Sequence, residues 1–136
     1  NHREQIKHGE ELYQQGDSDK ALEIFKAVLQ RDPEHVDALN NIGAIYYQLN
    51  QPGRAIEYFK KVLKHEPTHE DAFYNLLDVL LSSEQSELAR DLFAEYKDTI
   101  PNSDTLEQYR RTVFGLAVPG VDSKVKKIAF ICGPNI

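Results

Sequence analysis

Residues 34–67 read EHVDALNNIGAIYYQLNQPGRAIEYFKKVLKHEP. Leu39, Ile42, Ile45, Tyr46 and Leu49 recur at helical spacing, which predicts an amphipathic helix over residues 37–49. Asn50, Gln51, Pro52 and Gly53 interrupt the pattern as turn residues do. A second helix is predicted over residues 54–64, with Ala55, Ile56, Phe59, Val62 and Leu63 on its inner face. Pro67 lacks the amide that would extend that helix and pushes the residue before it out of the α region, so the chain turns there. The stretch is a helical hairpin with a proline stop. Gly43 and Ala55 are small where the two helices must approach, and Phe59 is expected to fill the space between this hairpin and the next.

The hairpin recurs. Pro33, Pro67 and Pro101 stand 34 residues apart, as do Ala21, Ala55 and Ala89, and Phe25, Phe59 and Phe93. Gly9 and Gly43 share the interval, with Leu77 in the third slot. A fixed period of this length marks a stack of supersecondary units, each burying its apolar face on the next. Asp37, Asp71 and Ser103 lie near the starts of the helices that follow each stop, where a short oxygen-bearing side chain can cap free amides.

This period, with small residues at the eighth and twentieth positions and Pro at the thirty-second, resembles the tetratricopeptide repeat. The resemblance covers about residues 2–101 and implies an all-α fold: a right-handed superhelix of three helix–turn–helix repeats, about 5–38, 39–72 and 73–102, within a domain spanning 2–117. The first unit departs from the pattern at Gln5, and Leu77 should widen or re-pack the third hairpin. A further helix is expected over 103–116, with Leu106, Tyr109, Val113 and Phe114 facing back onto the stack. Glu107 and Arg111 occupy the motif slots there, so the segment reads as a capping helix and not as a fourth repeat.

In this family the first helix of each unit lines the concave surface. Carried over position by position, the exposed residues are Arg3, Ile6, Lys7, Glu10, Tyr13 and Gln14 in the first unit. The second gives Asp37, Asn40, Asn41, Ala44, Tyr47 and Gln48, and the third Asp71, Tyr74, Asn75, Asp78, Leu81 and Ser82. The expected peptide-binding set is Glu10, Tyr13, Asn40, Asn41, Tyr47, Gln48, Tyr74, Asn75 and Asp78. Amides and tyrosines of this kind hold an extended backbone through paired donors and acceptors. Asn41 and Asn75 occupy the same slot in successive units and resemble the asparagine ladder in the repeat arm of protein O-linked N-acetylglucosamine transferases. The plain alternative is that each Asn is a solvated face residue or a local helix partner. The carboxylate-gripping variant of these repeats, which needs Lys, Asn and Arg at set inner positions, is excluded. Ile6 and Glu10 fill its first-unit slots and Asp71 and Asn75 its third-unit slots, and only Asn41 agrees.

Val118, Pro119 and Gly120 end the helical region, residues 118–127 read as a linker, and 128–136 as a strand-like tail. The run from Lys127 to Asn135, a basic residue, five apolar residues and a glycine turn, looks like the first strand of a parallel α/β domain. It resembles the opening of two-lobed glycosyltransferases, which makes a substrate-recruiting arm of such an enzyme the second functional reading. A tail that packs on the helices is the plain alternative.

The 136-residue chain carries a formal charge of -6, unevenly spread. From Glu107 onward, five basic residues against two acidic ones contribute +3, which leaves -9 on the first 106 residues. That acidity argues against nucleic acid, whose phosphates need clustered Lys and Arg. No apolar run reaches the roughly 18–20 residues of a membrane span. A single cysteine, Cys132, excludes an internal disulfide, fits a reducing cytoplasmic location and reads as a small core residue. The absence of Met, even at position 1, suggests a fragment of a longer protein. His65 and His69 flank Pro67 and read as solvated turn residues, not metal ligands. No catalytic constellation, metal or cofactor is implied. The expected partner is a protein or peptide, with self-association through the exposed end of the stack or the tail as a third reading.

Overall fold

Seven helices form among residues 2–115, the part of the chain that the computed structural model describes, and no strand forms among them. They are α1 (His2–Gln14), α2 (Ser18–Arg31), α3 (Val36–Gln48), α4 (Pro52–His65), α5 (Glu70–Ser82), α6 (Ser86–Tyr96) and α7 (Asp104–Val113). The fold is an all-α stack of hairpins. The expected linker at 118–127 and the strand-like tail at 128–136 lie outside the described residues.

Each hairpin turn is closed by the same device. Gly16, Asn50 and Glu84, one period apart, all take positive φ, at 89°, 62° and 58°. The amide after each reaches back to the preceding helix: Asp17 N to Leu12 O at 2.9 Å, Gln51 N to Tyr46 O at 2.9 Å, Gln85 N to Leu80 O at 2.8 Å. Such bonds satisfy carbonyls that a helix end leaves open. Gly and Asn tolerate the left-handed conformation, whereas Glu84 adopts it against a Cβ clash.

Helix starts repeat too. His35 Nδ1 accepts from Ala38 N at 3.3 Å, His69 Nδ1 from Ala72 N at 3.0 Å, and Ser103 Oγ from Leu106 N at 3.1 Å. Ser103 therefore caps as expected. Asp37 and Asp71 do not; they sit one residue inside α3 and α5, where a carboxylate still suits the positive end of the helix. His69 is thus a structural cap, and His65 lies 3.6 Å from Glu34. Unit boundaries at 38/39 and 72/73 fall inside α3 and α5; the hairpins part instead at the proline turns ahead of Val36 and Glu70.

Within the hairpins, Ala21, Phe25, Val28, Ala55, Phe59 and Val62 are wholly buried. A Cβ on Gly43 would stand 2.7 Å from Phe59 Cε1, and one on Gly9 2.6 Å from Phe25 Cε1. Phe59 therefore lies on the partner helix of its own hairpin, a closer role than the inter-hairpin filler expected of it. In the third hairpin Leu77 fills the glycine slot, fully buried, and Phe93 packs against Phe73 and Phe114 at centroid distances of 5.8 and 6.0 Å. Leu49, expected on the apolar stripe, caps α3 at 39% exposure, because the helix ends one residue before it.

Consecutive helices pack together along the chain, and α1 touches α3 as α3 touches α5, so the first helices of the hairpins form one layer. Enclosed by four neighbours, α3 buries every residue from Ala38 to Tyr46. α7 begins one period after α5, and its cap Ser103 occupies the slot of His35 and His69. It continues the first-helix register, which the charged Glu107 and Arg111 conceal in the sequence; Glu107 pairs with Arg110 and Arg111 at 2.6 and 3.0 Å.

Two stability predictions follow from this geometry. Glu84→Gly relieves the left-handed strain at an exposed turn and should raise unfolding free energy by about 0.5–1 kcal/mol. Gly43→Ala should lower it by about 1–3 kcal/mol through overpacking against Phe59, despite alanine's better helix propensity. Urea unfolding checks both; a stabilising Gly43→Ala would show that the ring yields freely.

Candidate functional site

The layer formed by α1, α3, α5 and α7 carries a line of polar contacts between neighbouring helices. Residues next to each other on a helix diverge by about 100°, so Asn41 faces α1 while Asn40 faces α5. Asn41 Nδ2 donates to Glu10 Oε2 at 3.0 Å, and Asn75 Nδ2 donates to Asn40 Oδ1 at 3.4 Å. Tyr109 OH donates to Asp78 Oδ1 at 2.8 Å and Oδ2 at 3.0 Å. The Tyr47 hydroxyl lies 2.7 Å from Ser82 Oγ. The Ser82 proton is used on Val79 O, so Tyr47 is the donor. Each junction between first helices is therefore bridged by a side-chain pair.

These groups were expected to be exposed, and the structure corrects that. Asn40 and Asn41 are 0% exposed, Asn75 and Asp78 2%, and Glu10 4%. The cause is the close lateral packing of the first helices, which shields their facing sides. Tyr13, Tyr47 and Tyr74 are half-buried, and only Gln48 of the expected set is exposed. Tyr74 stacks on Tyr109 at a centroid distance of 4.7 Å, so the aromatic groups belong to the α5–α7 end of the seam.

Two amide atoms stay unused. Glu10 can only accept when ionised, so Asn41 must turn its nitrogen toward it, and Asn41 Oδ1 is left buried without a partner among the described residues. On the opposite side Asn40 Nδ2 is likewise buried and unpartnered. Such groups cost about 1–3 kcal/mol each, and most buried polar atoms avoid that cost.

Electrostatics follow burial. Desolvation raises the Glu10 carboxyl above the ordinary glutamate range; the Asn41 bond opposes this, and the nearby Asp37 charge adds to it. Burial and the Asp78 carboxylate hold the Tyr109 phenol far above its usual range. Beside Glu10 opens a cavity of about 710 Å³ lined by Arg3, Ile6, Lys7, Glu10, Glu11, Gln14, His35 and Asp37.

Sequence reasoning missed Tyr109 as a member of the seam, although it stands one period after Asn75. It also missed a second cluster around Tyr46. Lys26 and Arg54 lie 5.7 and 5.4 Å from that ring, which stacks on Tyr58 at 5.6 Å. Burial pushes the Tyr46 phenol up, but the two cations outweigh it and hold the group below its usual range. No group of three or more His, Cys, Asp or Glu suited to a metal occurs among the described residues. None of the described helices is long and apolar enough to cross a membrane.

Two tetratricopeptide-repeat family profiles match the chain, over residues 6–64 and 48–109. No curated protein matches. Among solved structures, one crystal structure of MamA superposes with a TM-score of 0.67 at 25% identity, covering 79% of this chain and 63% of that one. Another, of the MamA protein, gives 0.70 at 24% identity, covering 84% and 62%. The chain thus spans less than two thirds of either, and the likeness is one of fold. The glycosyltransferase-like run at 127–135 lies outside the described residues, and neither family match extends to it.

The raised Glu10 carboxyl has a defined pH signature. The folded state holds that proton more tightly than the unfolded chain, so its contribution is full at acid pH and is lost as pH rises through the folded-state value. Relative to Glu10→Gln, the wild type should lose stability from about pH 4 upward and level off once Glu10 is ionised. Urea titrations across that range check this; parallel curves would contradict it.

Proposed function

Because this chain carries tetratricopeptide repeats, we propose that it is a protein-interaction module that holds an extended peptide segment along the layer of α1, α3, α5 and α7. The observation that carries this is the row of half-buried Tyr13, Tyr47 and Tyr74 with exposed Gln48 along that layer. The half-buried rings of Tyr13, Tyr47 and Tyr74 offer amphipathic anchors along the same layer.

Self-association is the weaker reading. Phe114, at the end of α7, is 44% exposed, but it already packs edge-on against Phe93. The unsatisfied polar atoms lie in the seam and not at that end.

Peptide capture tests the reading. Replacing Tyr47→Ala and Tyr74→Ala together should weaken binding of a captured peptide at least about tenfold, as the loss of two aromatic anchors would. Helical content should be retained by circular dichroism. Unchanged affinity in a folded double variant would sink the proposal.

A further inference from the structure

Resting on the reading that an extended peptide lies along the first-helix layer, we propose that this peptide takes the polyproline II conformation, with a proline at every third residue seated on Tyr13, Tyr47 and Leu81. These three side chains stand one period apart, on α1, α3 and α5. Each is half-buried and rests on the core, leaving part of its apolar surface to solvent as a step. The Tyr47 hydroxyl reaches Ser82, the residue after Leu81, at 2.7 Å, which fixes the lateral alignment of α3 with α5. The Asn41–Glu10 bond does the same for α3 and α1. The steps therefore form a line that crosses the helices, one step per hairpin.

The spacing of that line selects the backbone of the ligand. Packed helices lie about 8–10 Å apart, and successive steps are separated by about that distance. A β-strand rises about 3.3 Å per residue and turns alternate side chains to opposite faces, so its same-face groups fall at about 6.6 and 13 Å. Neither interval fits. A polyproline II helix rises about 3.1 Å per residue with about three residues per turn, which brings residues i, i+3 and i+6 to one edge at intervals of about 9.3 Å. Proline suits those positions because its ring pre-sets φ for this backbone and packs well in aromatic-lined grooves. The conformation makes no internal hydrogen bonds and leaves its carbonyls open. Gln14 and Gln48, each next to a step and exposed, carry amide donors for them. Tyr74, at another position of its unit and stacked on Tyr109, is an anchor outside this line.

Synthetic peptides of about twelve residues and one composition, proline among alanine and serine, provide the probe. One carries proline at every third position, another at every second, and a third in a single block. Titrated into the whole chain, the every-third peptide should bind at least about tenfold tighter than the others. The block peptide is at least as rich in polyproline II, so its weaker binding isolates register from stiffness. This comparison uses the unaltered chain and does not depend on how any variant folds. Tyr13→Ala and Leu81→Ala, at the two ends of the line, should each weaken the every-third peptide about threefold to tenfold and narrow its advantage. No binding of that peptide, equal affinity for all three, or an advantage indifferent to both variants would overturn the inference. If a captured peptide still lost affinity with Tyr47→Ala and Tyr74→Ala, the peptide-holding reading would stand without it. Capture of no peptide would overturn both.

Discussion

The Phe59 ring lies where a side chain on Gly43 would have to go, 2.7 Å from the position of its Cβ, and the same arrangement holds Phe25 against Gly9. This contact sets how closely the two helices of a hairpin approach. Everything above it in scale follows from the spacing, because each hairpin is identical enough to its neighbour for the first helices to lie side by side. α3 then loses solvent on all sides, and its polar residues must find partners inside the protein. The third hairpin shows what happens when the constraint is lifted. Leu77 fills the slot, Phe93 turns to aromatic neighbours, and α6 is 11 residues long where α2 and α4 each have 14.

The polar seam is a consequence of that lateral packing and carries both structure and chemistry. Pairs such as Asn41 with Glu10 and Tyr109 with Asp78 join successive helices in one register, since a shifted helix would leave buried donors and acceptors unmatched. An apolar seam would be at least as stable. What amides add is direction, since each bonds one particular neighbour. The second amide atom of Asn40 and of Asn41 stays buried and unpartnered among the described residues.

Fold was legible in the sequence because the prolines, alanines and phenylalanines repeat in phase, and each has a steric job that no other residue type does as well. Side-chain exposure was not legible. Whether Asn41 faces solvent depends on Glu10, 31 residues away, and on how near α1 comes. The helix caps were mislocated for a chemical reason: His35 and His69 cap through a ring nitrogen, while the aspartates two residues on are the commoner capping type. Glu84 hides a left-handed turn behind an ordinary residue. Tyr109 was expected to face back onto the stack but not to join the seam, since Glu107 and Arg111 obscured the register of its helix.

The side-chain amide resonances of Asn40, Asn41 and Asn75 in a nitrogen–proton correlation spectrum offer the most direct test that this seam is where a partner is held. Titrating in a library-selected peptide should move the Asn40 and Asn41 signals first and furthest, and slow their hydrogen exchange. Perturbations confined to the Tyr46–Tyr58 cluster or to α7, with those amides unmoved, would contradict the account.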